Sequence, residues 1–322
     1  MLKYAARRLL EAIPTTFGIL LLTFVLFNVV SGGSPALTVL GKGADEKSVA
    51  AFNRMYGYDK PLIFGSPREG EGGWRGVFDS QFFSFLKNVA TGDLGYSPKM
   101  NEPVADVLKR GVGPSLSLTV PILVFGTVLA LFLAMLSAAY RGRAPDKIIL
   151  FVSAALMSVN YVVWVLLGQF LVAFKAGWFP LWGYGDWRHM VLPVAIGVAS
   201  SLGMDVRFFR TAVLDEIYKP YVLAARSKGL SRFAVMSRHV LRNALIPVVT
   251  YISLSIPYLF TGSLLLESFF GIPGLGSVSV NAIQSADFAV VRAVVVIGAL
   301  IYQAVNLLCD ILYAALDPRI RL

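Results

Sequence analysis

The chain has 322 residues, of which 56% are apolar and only 15% charged, and it carries a formal net charge of +10. Soluble domains hold about a quarter of their residues as charges, so this balance excludes an ordinary pair of soluble domains and points to lipid as the solvent. One cysteine, Cys309, excludes an internal disulfide framework, and two histidines, His189 and His239, leave no Cys/His metal cluster.

A transmembrane helix needs about 20 mostly apolar residues to cross a hydrocarbon core of about 30 Å. Six segments qualify, which makes the expected fold an all-α integral membrane protein. The first, 12–30, follows Lys3, Arg7 and Arg8. It resembles a signal peptide in layout, but it is longer than a signal's apolar stretch and ends at SGGSP, so it reads as an uncleaved span. The second and third, 114–140 and 148–173, are split by the basic turn RGRAPDK and form a hairpin. The fourth, 190–209, is interrupted near its end by Asp205 and Arg207. The fifth runs over 244–266, and the sixth over 293–309, starting a turn earlier near Phe288.

Lys and Arg in short segments near span ends mark the cytoplasmic side. With the N-terminus inside, the inner segments hold Lys3, Arg7 and Arg8, then Arg141, Arg143 and Lys147, then eight basic residues in 205–243, then Arg319 and Arg321. The short outer loops hold only Lys175, Arg188 and Arg292. Both termini are therefore expected in the cytoplasm. Topology accounts for the positive charge, and no basic patch remains for nucleic acid.

Two polar segments are long. The first, 31–113, is nearly neutral and reads as a small extracytoplasmic subdomain between spans one and two, with short helices expected at 47–56 and 79–90 and a turn-rich, mobile stretch at 65–76. The chain thus divides into 1–30, 31–113 and a core of 114–322. The second, 205–243, lies inside. Pro220 suits a first helical turn, Gly229 supplies a permissive end, and Ser231 is placed to cap a second short helix set at an angle to the first. Tyr221, Leu223 and Leu230 beside Arg226, Lys228 and Arg232 make an apolar strip framed by charge. Such a strip fits a docking surface for another protein and equally an amphipathic helix lying on anionic lipid.

Catalytic signatures are missing. No GxxxxGK[ST], GxSxG or HExxH occurs, GKGADEKS has the wrong spacing for a P-loop, and PGLGS follows no strand and reads as turn chemistry. Ion-coupled carriers place ionisable residues deep in the bilayer. Here Glu11, Asp205, Arg207, Glu267, Arg292 and Asp310 fall near expected span ends, and the interiors hold Asn160, Gln169, Tyr251, Gln303 and Asn306 instead. The chain reads as a pathway moved by energy from outside, not as an enzyme.

The segment YVLAARSKGLSRFAVMSRHVLRNALIPVV resembles the EAA loop of ABC-importer membrane subunits, in the form carried by the oligopeptide and dipeptide permease family. Ala224, Ala225, Gly229 and Leu241 match that loop, while Leu223 replaces its acidic residue, His239 its Ile and Arg242 its first Pro; a later Pro, as in the subfamily, stands at Pro247. RRLLEAIPTTFGILLLTFVLFN, GYDKPL, GDLGYS, SFFGIPGLGS and LLCDILYAALDPRIR agree with the same family in order and spacing.

The resemblance implies a permease in a bacterial or archaeal inner membrane, paired with a second homologous permease, two cytoplasmic ATPase subunits and an extracytoplasmic solute-binding protein. The permease itself would hold no cofactor, and ATP and Mg would bind in the ATPases. Peptides lead as the substrate, with nickel, glutathione and oligosaccharides as alternatives within the same architecture. An ATP-independent channel or ion-coupled carrier is the alternative of a different class.

The coupling helix would lie in 219–241, with Tyr221, Leu223, Ala224, Ala225, Arg226, Lys228, Gly229 and Leu230 meeting the ATPase and Ala225 at the closest contact. Asn160, Gln169, Tyr251, Ser255 and Gln303 are pathway candidates, because polar groups in lipid need partners or a water-filled cavity; interhelical hydrogen bonds explain them equally. Glu267, Asp287 and Arg292 are candidates for an outer gate or binding-protein contact, against a reading as ordinary interfacial charges. Arg207 and Arg210 read as positive-inside anchors, and Cys309 as a small packing residue.

The topology has a direct test. With Cys309 removed, cysteines at Ser66 and Ser285 are expected to label from outside intact cells, and those at Ser227 and Leu322 are not. Labelling of Ser227 from outside would overturn the six-span order.

Overall fold

In lipid a backbone N–H or C=O has no water to fall back on, so it must pair within its own segment. The structure, a computed structural model, follows that constraint: among the described residues the regular elements are helical apart from one two-stranded ladder. It describes residues 2–30, 35–41, 43–65 and 78–316. Most of the expected turn-rich stretch, from residue 66 on, and the last six residues of the chain fall outside these. Two units are distinguished, one formed by Met1–Gly111 with Val278–Leu322 and the other by Val112–Ser277.

In the first unit, α1 (Leu2–Val25) carries on into a wide turn, Leu26–Val30. After α2 (Pro35–Leu40), α3 (Glu46–Tyr56) is capped by Asp45, which accepts from the Ser48 N–H, and ends at Gly57 in the left-handed region. The next helix, α4 (Gln81–Thr91), is capped by Ser80, whose hydroxyl accepts from the Phe83 N–H at 3.3 Å. Both caps use the short oxygen-bearing side chains that suit this position. Phe82 and Phe85 of α4 are buried with Leu20 and Phe24 of α1 and Val296 of the final helix, α14 (Phe288–Leu316). Between them in sequence, β1 (Tyr96–Ser97) pairs antiparallel with β2 (Glu102–Pro103).

The long α5 (Val104–Ala139) begins at the end of that ladder and continues into the second unit. There follow α6 (Ala144–Ser158), α7 (Tyr161–Leu167) with its wide extension Gly168–Lys175, and α8 (Arg188–Ile217). Next come α9 (Pro220–Ser227), α10 (Arg232–Ala234) with the wide turn Val235–Val240, α11 (Leu241–Thr261) and α12 (Leu264–Phe270). The last connecting helix, α13 (Leu275–Gln284), leads back to the first unit.

Among the described residues, five helical stretches are long and apolar enough to cross a membrane: Arg7–Val29, Val104–Ala139, Arg188–Ile217, Arg232–Ile256 and Phe288–Asp310. The third expected span is different. Ala144–Ser158 and Tyr161–Lys175 are bent by 92° at the break between them, so 148–173 is no straight helix. Asn160 is the cause: its backbone is extended and its side-chain oxygen accepts from the Val162 N–H at 2.9 Å, starting a new helix inside the apolar run.

Two other boundaries move. The fourth span does not end at 209, because the helix runs to Ile217 and places Asp205 and Arg207 inside it. The fifth does not reach 266, since Gly262 stops α11 and Glu267 sits on the separate α12. Nor is the segment after Ser231 a separate short helix set at an angle. Ser231 caps it as expected, but helical backbone continues through Val235 and Leu241 into the span.

One buried ion pair fixes the α5–α6 turn to α8. Asp146, 3% exposed, accepts from Arg210 Nε at 2.9 Å and from the same guanidinium's Nη2 at 3.0 Å. The Ser137 hydroxyl at 2.5 Å and the Gly142 N–H at 2.8 Å complete the set. Arg210 is therefore a half-buried strut whose charge is matched within the chain, and not only an anchor at the membrane surface. Arg210→Met is expected to destabilise the subunit by about 3–5 kcal/mol, because Asp146 would stay buried without its counter-charge. Thermal unfolding of the purified subunit reads this, and an unchanged midpoint would show that Ser137 and Gly142 suffice.

Candidate functional site

Helix α9, where docking is expected, has two faces of different kinds. Val222 is fully buried and Ala225 only 6% exposed, and both belong to a cluster with Ala138, Val213, Ile217, Val235, Met236, Val240 and Ala244. Tyr221, Leu223, Ala224, Arg226, Lys228 and Leu230 are exposed, Leu223 to 66%, and Phe233 just beyond them to 81%. The helix thus spends one side on its own chain and leaves an apolar, basic side uncovered.

This corrects one residue. Ala225 was expected at the closest contact with a partner, but it points into the chain's own core, where its small side chain lets α9 approach α5 and α11. Gly229 does adopt the left-handed conformation, at φ +78°, where residues with a Cβ are strained. The uncovered face is held in place from beneath. Tyr221 donates its hydroxyl to Glu216 and accepts from Asn243 Nδ2 at 2.9 Å, and Arg232 donates to the Ala139 carbonyl while its guanidinium lies 5.5 Å over the Tyr140 ring.

Within the same unit lies a cavity of about 380 Å³. Hydroxyls dominate its polar wall: Thr127, Ser200, Ser201, Tyr251, Ser255 and Tyr258. Of the expected pathway residues, Tyr251 and Ser255 line it. Asn160 and Gln169 do not. Asn160 is spent on capping α7, and the Gln169 amide donates to the Phe269 carbonyl at 2.7 Å, tying the extension of α7 to α12. Gln303 is half-buried on α14, in the other unit.

The cavity also contains a residue expected at a span end. Asp205, 9% exposed, accepts from the Tyr251 hydroxyl at 2.8 Å and lines the cavity. An acid directly after a long apolar stretch is the available signal, and the helix running on to Ile217 is what gives it its place.

Glu267, Asp287 and Arg292 fall in two different units. Glu267, in the second unit, is fully buried. Its carboxylate accepts from the Ser115 hydroxyl at 2.8 Å, the Ser263 N–H at 3.0 Å and the Ser277 N–H at 3.1 Å, with the Gly276 N–H adding a further bond. The GIPGLGS turn wraps so closely that a Cβ on Gly276 would stand 2.8 Å from the Leu264 backbone nitrogen. Burial raises the carboxyl above its ordinary range, and the donors oppose that shift. In the first unit, Asp287 is 2% exposed, accepts from the Ser97 hydroxyl and from the Val290 N–H at 3.4 Å, and so fastens β1 to the start of α14. The Arg292 guanidinium lies 5.5 Å over the Phe85 ring. All three are internal ties. Among the described residues no group of three His, Cys, Asp or Glu side chains converges as a metal site.

Apolar helices around a polar cavity, with an uncovered helix packed against their ends, are the parts of a membrane transport subunit. Residues 126–322 match the family described as the binding-protein-dependent transport system inner membrane component. The chain is also 32% identical, over 100% of its own length and 99% of theirs, to the glutathione transport system permease protein GsiC of Shigella flexneri serotype 5b (strain 8401) and of Escherichia coli (strain K12). The chain belongs to this family, and it is a transmembrane subunit of an ATP-binding-cassette importer.

Glu267→Gln tests the buried carboxylate. An amide turns an N–H₂ group toward a nest of donors, leaves at least one of them unpaired, and is expected to destabilise the subunit by about 1–3 kcal/mol. The thermal midpoint of the purified subunit is the measurement, and no change would mean that the turn is held by its backbone alone.

Proposed function

We propose that this chain forms half of the translocation pathway for peptide-like solutes. A second homologous permease supplies the other half, and a solute-binding protein delivers the cargo outside the membrane. Two ATPase subunits bind ATP and Mg and drive the pair between inward-open and outward-open states. Both chain termini lie in the cytoplasm, and one ATPase docks on the 219–241 segment through Tyr221, Leu223, Ala224, Arg226, Lys228 and Leu230. The relatives are named for glutathione transport, and glutathione is itself a small peptide, so a short peptide with free charged ends is the cargo class favoured.

The observation that carries this reading is the division of α9. A helix lying on lipid has no need to be pinned on one side by Val222 and Ala225 to the ends of three other helices, whereas a helix that receives force from a partner does. The part of the pathway contributed by this chain is the hydroxyl-lined cavity bordered by Tyr251 and Ser255.

Pull-down of the ATPase subunits at equal membrane expression is the test. Leu223→Asp puts a charge at the centre of the uncovered face and is expected to lower ATPase recovery about tenfold or more, as loss of a buried interface anchor does. Ala225→Ser, on the side packed within the chain, should recover the ATPase as the parent does. Undiminished recovery with Leu223→Asp would return α9 to the lipid surface.

A further inference from the structure

The three buried carboxylates of the second unit are not equally provided for. Asp146 has a bidentate arginine, a hydroxyl and a backbone N–H. Glu267 has a hydroxyl and three backbone N–H groups. Asp205 has only hydroxyls, those of Tyr251 and Ser201, and no cation within ion-pair distance among the described residues. It is as buried as a structural acid, yet it opens onto a cavity. A carboxylate in that setting is expensive to leave uncompensated, and such a group inside a membrane helix marks a functional position.

The cavity wall shows what would compensate it. Ser200, Ser201, Thr127, Ser255 and Tyr258 present oxygen atoms, and no lysine, arginine or histidine lines the space. The site therefore offers one carboxyl group and several neutral acceptors, and none of its lining residues is a fixed positive group. Its complement is a cation with several hydrogen-bond donors. A divalent metal fits poorly, because such ions take six or more oxygens with more than one carboxylate or with retained water. A primary ammonium fits well. It brings one charge and three N–H donors, enough for Asp205 and two hydroxyls, on a body that the apolar residues Ile122, Leu123, Ile252 and Leu259 can receive. The volume of about 380 Å³ is in the range of small-molecule sites and suits one end of a short peptide.

We propose that this cavity is a subsite for the primary ammonium group of the transported solute, with the Asp205 carboxylate as its counter-ion and Tyr251 as the group that orients that carboxylate. The assignment rests on the importer reading above for the identity of the ligand as cargo. It makes Asp205 a specificity-determining residue of the membrane subunit, separate from selection by the solute-binding protein.

The experiment uses the assembled importer in proteoliposomes with two probes of similar size, trialanine and N-acetyltrialanine. The first readout is protection of Asp205 from a hydrophobic carbodiimide, mapped by mass spectrometry, and it requires no transport. Trialanine is expected to protect Asp205, and N-acetyltrialanine is not. Equal protection by both probes, protection by sodium chloride alone to the same extent, or no protection by trialanine would each overturn the ammonium subsite.

The second readout is ATP-dependent uptake of trialanine. Asp205→Asn keeps an acceptor for Tyr251 but loses the charge. It is expected to raise the KM for trialanine about tenfold or more, the scale of a lost charged hydrogen bond, and Asp205→Glu to restore part of it. An unchanged KM in Asp205→Asn would overturn the subsite and leave the importer reading standing. Protection of Asp205 by trialanine without ATP-dependent uptake would overturn the reading of the ligand as cargo and leave an ammonium site of another purpose.

Discussion

Charge burial in a medium without water is the constraint on which the rest of the second unit depends. A carboxylate taken out of water must be matched by donors or by a counter-charge, or the fold loses several kcal/mol. Asp146 and Glu267 are matched from within the chain, and each match draws distant segments together. Asp146 joins the α5–α6 turn to α8 through Arg210, and Glu267 gathers Ser115 of α5, the start of α12 and the GIPGLGS turn. These two points frame the cavity-bearing helices, and Asp205 between them in sequence is the acid left facing open space.

The first unit relies on apolar and aromatic packing more than on charge. Phe82 stands edge-on to Phe24 with centroids 5.2 Å apart, and Phe85 lies 5.9 Å from the same ring. The polar loop after the first span is therefore anchored by a helix whose aromatic residues belong to the same core as α1 and α14. Asp287 contributes there as a helix cap that also holds a strand, a role that needs no gate.

Much of this was legible in the sequence, and the limits have physical causes. Long uncharged runs gave the first and last spans, and Ser231 and Gly229 are legible as a cap and an end because their effect is local, whereas Ser80, which caps α4, falls inside the helix expected over 79–90. Asn160 is also a local signal, but inside an apolar run it was weighed as a pathway residue and not as a cap, so the 92° bend was missed. Hydropathy ends a span at the first charge, and that is why Asp205 was placed at an end when the helix continues past it. The docking residues were taken as a contiguous block, yet a helix offers a partner one face; the spacing of Val222 and Ala225 with the apolar residues that follow shows which face is spent. Glu267 is legible only as an outer-end candidate, and its structural role is not, since its partners at 115, 263 and 277 come together only in three dimensions.

The same helices serve both the docking face and the cavity. The cluster under α9 is built from Ala138 of α5, Val213 and Ile217 of α8, and Ala244 of α11. The cavity is lined by Thr119 and Thr127 of α5, Ser201 and Asp205 of α8, and Tyr251 and Ser255 of α11. A densely packed apolar cluster deforms little, so a displacement of α9 moves the ends of α5, α8 and α11 together instead of being absorbed locally. The residues that then shift against one another include Tyr251 and Asp205, which sit on different helices and are joined by a single hydrogen bond. Under the docking proposed for α9, force entering at its exposed leucine face would pass through these shared helices to Asp205, the buried acid of this unit whose partners are hydroxyls alone.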